Sequence, residues 1–482
     1  MKEQSTGSRT GSLFRLLICI GLALGLWMAP RPEGLDPSAW HLAAIFAGVI
    51  AGFLLQPMPM GPVVLLGLLV VSVTDVLGDG EGSLGMKAAL SGYGEEVVWL
   101  VVGAFLLAGA VQNTGLGQRL ALLMVKRFGR STLGLGYAQV SAELLLGPLV
   151  PSNTARGGGI LAPIAASLSR ALDSHPERGA TRAGRYLILV GAHANLITAA
   201  MFLTGMAANP LVSRAAQDVY GIEFGWGEWA LGAIVPGLVG LALLPLVIFK
   251  LERPEVIDGR PAQAEAQKQL DRMGPWTHRE LVCSAVFVTM LVLWSTKPLH
   301  GMGTTLVAWL GVGTLLLSRV QDWDEMVHNH RAWDTLIWLG GILTLANGLR
   351  DTGFVEWFAG RAEGVAGELP MLPTVLVLVL VYYYSMYGFS MLTAHISAMV
   401  GAFLTICAAT EVPALLAVPL FAYFSNLCAC VTNYSSGPVI IYFGLGYVPT
   451  RTWFRVGFWV SLLHLAVWIP VGLVWWKMLR WW

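Results

Sequence analysis

The chain of 482 residues is 55% hydrophobic and 12% charged, about half the charged share of a soluble globular protein. This excludes a soluble domain and reads as an integral membrane protein. Its 30 Lys plus Arg balance 29 Asp plus Glu, so no one-signed field exists to hold nucleic acid. The cysteines Cys19, Cys283, Cys407, Cys428 and Cys430 lie in apolar segments, at spacings that fit neither a zinc site nor a disulfide framework. They read as small core residues, and no metal site is expected.

In segment 1–38 the apolar stretch at about 13–30 follows the basic residues Lys2, Arg9 and Arg15. It lacks a clear small-residue cleavage site, so it reads as a retained first helix. Further apolar stretches follow at 39–56, 60–78, 97–125, 132–170, 186–208 and 229–249, then at 281–319, 335–358, 372–446 and 454–476. One spanning helix takes roughly 20 apolar residues, so the longer stretches hold two or more spans, for about ten to thirteen crossings. One long polar break, 251–280, carries Arg253, Arg260, Lys268, Arg272 and Arg279. The positive-inside rule places it and the N-terminus in the cytoplasm. The chain thus divides into an N-terminal segment (1–38), a first membrane repeat (39–250), the loop (251–280) and a second repeat (281–482). The C-terminal "VWWKMLRWW" reads as an aromatic belt at the membrane interface.

The halves are related. "GAFLLAGAVQNTGLGQRLA" (103–121) aligns without gaps to "GILTLANGLRDTGFVEWFA" (341–359), Gly103 to Gly341, an offset of 238. The shared Thr-Gly pair, Thr114-Gly115 and Thr352-Gly353, sits in the same frame. The same offset carries Ser152 onto Ser390, so "LVPSNTARGGGILAPI" (149–164) faces "SMLTAHISAMVG" (390–401). Each half therefore has a polar interruption in an apolar run at the same place. Unpaired backbone cannot face lipid, so a broken helix in a membrane lines an enclosed cavity. Paired interruptions in two repeats point to a midplane binding site. Free amides at a half-helix start attract anions, and Ser152, Asn153 and Thr154 add small donors.

These segments, with "NLITAAMFLTGMAANPL" (195–211), "AWDTLIWLGGILTLANGL" (332–349) and "TNYSSGPVIIYFGLGYV" (432–448), resemble the divalent anion/sodium symporter family. The resemblance is specifically to its branch of citrate:succinate antiporters and plastid 2-oxoglutarate/malate translocators. The resemblance implies an all-α polytopic membrane protein of two repeats, with broken helices, re-entrant hairpins, and a scaffold domain beside an elevator-like transport domain. It also implies a homodimer in the bacterial inner membrane, surrounded by lipid, that moves small di- or tricarboxylate anions. Ser152, Asn153 and Thr154 match the first Ser-Asn-Thr signature and would contact a carboxylate. At the second site Met391 and Leu392 depart from it, leaving Ser390, Thr393 and His395. The loops holding Thr204, Gly205, Asn209 and Pro210, and Thr432, Ser435, Ser436, Gly437 and Pro438, resemble the segments that complete the two pockets. In sodium-coupled relatives they help to hold sodium.

Two half-helix starts supply roughly +1 together, against about two negative charges on a dicarboxylate. Sodium is one source of the difference. Arg156 and His395 are another, and an intramembrane arginine costs at least about 2.5 kcal/mol. Arg156 alternatively snorkels to an interface or pairs with Glu143, and His395 alternatively bonds a helix carbonyl. His193 and Asn195 are polar in a span and are candidates to support the site from behind. Glu95, Glu96 and Asp334 read as interfacial caps. An enzyme would need paired acids, a metal cluster or an activated nucleophile in the spans, and the sequence offers none. Two readings remain: an obligate carboxylate exchanger without a cofactor, and a sodium-coupled symporter.

Overall fold

The computed structural model describes residues 7–78, 84–366 and 370–482; the start of the N-terminal segment, with Lys2, lies outside them. Among these residues nine helices are long and apolar enough to cross a membrane, and two shorter apolar helices, Met60–Thr74 and Thr304–Leu317, accompany them.

The aligned segments fold alike. Helix Glu96–Thr114 ends where Gly115 turns at φ 79°, and helix Leu116–Phe128 follows. Helix His330–Asp351 ends where Gly353 turns at φ 79°, and helix Phe354–Ala366 follows. Even the threonines agree: Thr114 Oγ1 donates to Ala110 O, and Thr352 Oγ1 to Gly348 O, both at 2.7 Å. A left-handed turn is what glycine adopts without a Cβ penalty. The two first helices also run in opposite directions. Asn347 near the end of one donates to Glu95 at the start of the other (2.8 Å), while Asn329 donates to Phe105 O (2.9 Å). The repeats are therefore inverted.

The polar break 251–280 is built rather than slack. It contains helix Arg260–Met273, begun by Pro261 in its first turn. Thr132 Oγ1 donates to Val256 O, Gln263 to Lys126 O (2.6 Å) and Gln269 to Ser167 (2.9 Å). Arg119 pairs with Glu280 at 2.6 Å. All four ties reach first-half elements, and Met273 lies beside the Gly115 turn, which fixes the loop side of the molecule.

Among the C-terminal tryptophans, Trp476 does not take the place in a belt expected of it. Trp476 is fully buried, and its Nε1 donates to Gly232 O at 2.9 Å; Trp475 Nε1 donates to Leu231 O at 2.7 Å. The reason lies in helix Trp226–Leu251, which has Pro236 inside it. A proline has no N–H for the carbonyl four residues earlier, and here that carbonyl is Gly232. Lipid offers no substitute donor, so an indole from the last long helix, Thr450–Met478, fills the role.

Candidate functional site

The first interruption begins where helix Thr132–Leu146 stops short of Val150. The chain resumes at Thr154 as a π-helical stretch, Thr154–Leu161, continued by helix Ala162–Ala171. Ser152 Oγ accepts from the backbone N of Ala155 (3.1 Å), satisfying one amide at the new helix start. The glycines that follow allow close approach from two sides. A Cβ on Gly157 would stand 2.7 Å from Asn195 Nδ2 and 3.1 Å from Pro438, and one on Gly158 would stand 2.2 Å from Ile441.

Those contacts bring the halves together. Asn153 Nδ2 donates to Ser436 Oγ (3.2 Å), and Thr154 packs on Gly437. Ser436 ends a second break, after which helix Gly437–Gly444 starts with Pro438 in its first turn. From the same break, Ser435 O accepts the backbone N of Leu392 (2.7 Å), the first residue of helix Leu392–Ala409. Ser435 Oγ is bonded to Ala429 O, and Thr432 O receives Trp453 Nε1 (2.9 Å). Three helix starts, at Thr154, Gly437 and Leu392, are thus linked through two direct hydrogen bonds. A fourth helix starts at Asn209, whose Oδ1 accepts from Asn426 (2.8 Å) and whose Nδ2 donates to Ala199 O and Phe202 O, with Pro210 in its first turn. Thr204, next to Gly205, donates to Pro148 O and accepts from Trp226 Nε1 (3.0 Å). Convergent helix N-termini carry partial positive charge and unpaired amides, the setting that suits an anion.

Arg156 does not stand free in this cluster. Its side chain is fully buried and its five N–H groups are all used. Nε donates to Glu143 Oε2 (2.7 Å), Nη1 to Val150 O (2.8 Å) and Gly205 O (3.1 Å), and Nη2 to Thr198 Oγ1 (3.2 Å) and Asn195 O (3.5 Å). Of the alternatives open in the sequence, pairing with Glu143 is the one found. Desolvating a guanidinium is costly unless every donor is met, and the fold meets each. In this structure Arg156 positions the break and leaves no donor for a substrate.

His395 and Ser390 are also placed differently from expectation. His395 Nε2 bonds Ser385 Oγ (2.8 Å) and Tyr382 O (3.0 Å), and its ring packs on Tyr382 and Phe389. It ties one arm of a hairpin, helix Met371–Tyr384, to the other. Ser390 Oγ donates to Leu54 O (3.1 Å) and accepts from Gln56 Nε2 (3.2 Å), against the end of helix Pro37–Leu55, while Thr393 is buried one turn away. Neither expected cation of the pocket is presented to it.

Sequence reasoning missed Thr198 and Asn426 and named Glu143 only as an alternative partner of Arg156. Glu143 takes Arg156, Thr198 Oγ1 and Asn195 Nδ2 (2.9 Å). Thr198 and Asn426 had no signal beyond being polar in a span. Asn195 does support the site from behind, since its Nδ2 also donates to Asn153 O (3.2 Å). His193 is buried with neither ring nitrogen hydrogen-bonded among the described residues, 6.1 Å from the Trp453 ring. Glu95 stands at the helix start without capping it through its side chain, which takes Arg214 (3.1 Å) and Asn347 instead.

Inverted repeats with broken helices meeting inside the bundle define a membrane carrier of the secondary-transporter type. The sodium:sulfate symporter transmembrane-region model matches residues 10–482, and the chain belongs to that family. It is 42% identical over its whole length to YflS of Bacillus subtilis, a candidate malate transporter by name, of which 99% is covered. It is 33% identical to the L-tartrate/succinate antiporter of Escherichia coli, with 96% of this chain and 97% of that one covered. The Alcanivorax borkumensis YdaH transporter structure shares the fold, with a TM-score of 0.56 over 98% of this chain and 99% of that one, at 14% identity.

Proposed function

We propose that this protein exchanges small dicarboxylates of the malate, succinate and tartrate class across the membrane, without sodium. The observation that carries the reading is the arginine at the first break. A sodium ion bound there needs oxygen ligands, chiefly backbone carbonyls freed by the broken helix. Here Val150 O, Gly205 O and Asn195 O already receive guanidinium donors from Arg156. The names of the relatives, a malate transporter and a tartrate/succinate antiporter, supply the substrate class.

In this reading the amides at Thr154 and Gly437, with Asn153 and Ser436, receive the two carboxylates. The Asn153–Ser436 bond opens as a substrate oxygen takes its place. The carrier works as a homodimer in the bacterial inner membrane, with the 251–280 loop and the N-terminus cytoplasmic. A transport domain holding both breaks rises and falls against a scaffold holding helices Glu96–Thr114 and His330–Asp351.

Purified protein in sodium-free proteoliposomes tests this. Labelled malate enters vesicles preloaded with malate or succinate and does not accumulate in empty ones. Strong uptake into empty vesicles driven by a sodium gradient would overturn the exchange reading in favour of a symporter.

A further inference from the structure

The run "VYYYS" (381–385) lies in the second hairpin and carries three neighbouring phenols. Successive residues of a helix point about 100° apart, so the three cannot face one neighbour. Helix Met371–Tyr384 sends each hydroxyl to a different partner. Tyr382 donates to Ser425 Oγ (2.6 Å), whose own proton goes to Phe421 O. Tyr384 meets Ser461 Oγ (3.1 Å) on the last long helix. Tyr383, between them, reaches Leu427 O (3.0 Å), His464 Nδ1 (3.0 Å) and Cys430 Sγ (3.2 Å).

The contacts of Tyr383 fall at the approach to the second break. Leu427 ends helix Ala414–Leu427, and one tight turn, Cys428–Val431, carries the chain from there to Thr432. A tyrosine hydroxyl has one proton. Leu427 O can only accept, so the proton goes there. His464 Nδ1 then carries its own proton and donates to the phenol oxygen, leaving as the bare nitrogen Nε2, which has no partner among the described residues. Tyr383, His464, Leu427 and Cys430 are all fully buried. A phenylalanine would pack in the same place with no hydroxyl to desolvate, so packing alone does not account for the phenol. What it holds is the turn. Ser435 Oγ donates to Ala429 O (2.6 Å), inside that turn, and Ser436 beside it receives Asn153 (3.2 Å). A shift of the turn is therefore a shift of the anion site.

We propose that Tyr383 and His464 are positioning residues of the anion site. They hang the turn Cys428–Val431 between the second hairpin and the last long helix, and so fix where Ser435 and Ser436 stand. Neither touches the substrate. Only the identity of the anion rests on the dicarboxylate reading above.

His464→Asn keeps an N–H donor at the Nδ1 position, whereas His464→Gln carries its amide to the Nε2 position. Each is made in the full chain and compared in detergent by two readings: hydrogen–deuterium exchange of the 428–436 amides without ligand, and affinity for malate. His464→Gln speeds the amide exchange and weakens malate, each about tenfold, as the loss of one buried hydrogen bond implies. His464→Asn stays near wild type. Tyr383→Phe, which removes a single atom, behaves as His464→Gln does, and carries the test should His464→Gln lose amide protection in the loop helix Arg260–Met273, the folding control. Equal disturbance by His464→Asn and His464→Gln, or wild-type amide exchange in Tyr383→Phe, would overturn the positioning role. So would faster amide exchange with malate affinity unchanged, which is what a purely structural pair gives. Wild-type protein that binds no malate would instead count against the proposed substrate class, and the amide readings, taken without ligand, would still decide whether the pair holds the turn.

Discussion

Arg156 shows how one side chain settles what a broken helix requires. Its partners are a carboxylate, three carbonyls and a hydroxyl, all buried. Removing one member of a buried pair leaves an uncompensated charge, so Arg156→Met should lose about 3–5 kcal/mol of stability. Glu143→Gln combined with Arg156→Met should lose less, because no charge is stranded. Thermal unfolding in detergent reads both, and an unaltered Arg156→Met protein would show that the pair does not hold the break. Asn153 makes the opposite kind of contact: one neutral hydrogen bond to Ser436, worth about 1 kcal/mol. Asn153→Ala should therefore unfold nearly as wild type yet exchange at least about tenfold more slowly, as loss of a charge-assisted contact to substrate implies. Near-normal exchange by the folded variant would remove Asn153 from the site.

At the scale of elements, the second break depends on how closely helix Thr450–Met478 approaches it. A Cβ on Gly457 would stand 2.2 Å from the carbonyl oxygen of Cys430, a backbone atom that cannot rotate aside. Gly457→Ala should push the helix off the turn that precedes Thr432, Ser435 and Ser436. The expected cost is about 1–3 kcal/mol, with slower exchange. Gly444→Ala meets nothing within 4 Å and is the control, expected to be close to neutral. Equal behaviour of the two variants in thermal unfolding would show that the close approach is unimportant. The first break was legible in the sequence, since Ser152-Asn153-Thr154 and the glycines interrupt an apolar run, and its offset mate Ser390 stands just before the helix start at Leu392; the break at Thr432–Ser436 lies off that offset and was legible only through the resemblance. Which atoms face the site was not legible. Periodicity cannot tell whether Arg156 turns toward a ligand or toward Glu143 thirteen residues earlier, because the break removes the helical phase that would relate them. Helix Arg260–Met273 was likewise hidden, because a polar amphipathic helix and a polar loop share a composition.

For the whole molecule, helix Asn209–Tyr220 is tied by polar contacts to both antiparallel helices, and its Asp218–Arg350 ion pair joins the two halves. Arg214 and Asp218, on helix Asn209–Tyr220, reach Glu95, Asn347 and Arg350. If the breaks travel as one body, these contacts separate in each cycle. Cysteines replacing Arg214 and Asn347, joined by a short bifunctional thiol reagent, should stop exchange, and a reducible linker should restore it on reduction. The five native cysteines are buried and do not compete. Full exchange by a completely crosslinked protein would argue for local gating around a fixed site.

The bond from Trp476 to Gly232 also sets a timetable for biogenesis. Translation delivers the N-terminal part of a chain first, so helix Trp226–Leu251 enters the bilayer with the Gly232 carbonyl bare of its intrahelical donor. Nearly 250 further residues, the inverted second half among them, must be made before the indole at 476 arrives. A nascent first half therefore carries an exposed polar defect in hydrocarbon, and only the completed chain repairs it. Products cut short before Trp476 should accordingly be cleared by membrane quality control, even when they contain every residue of both breaks.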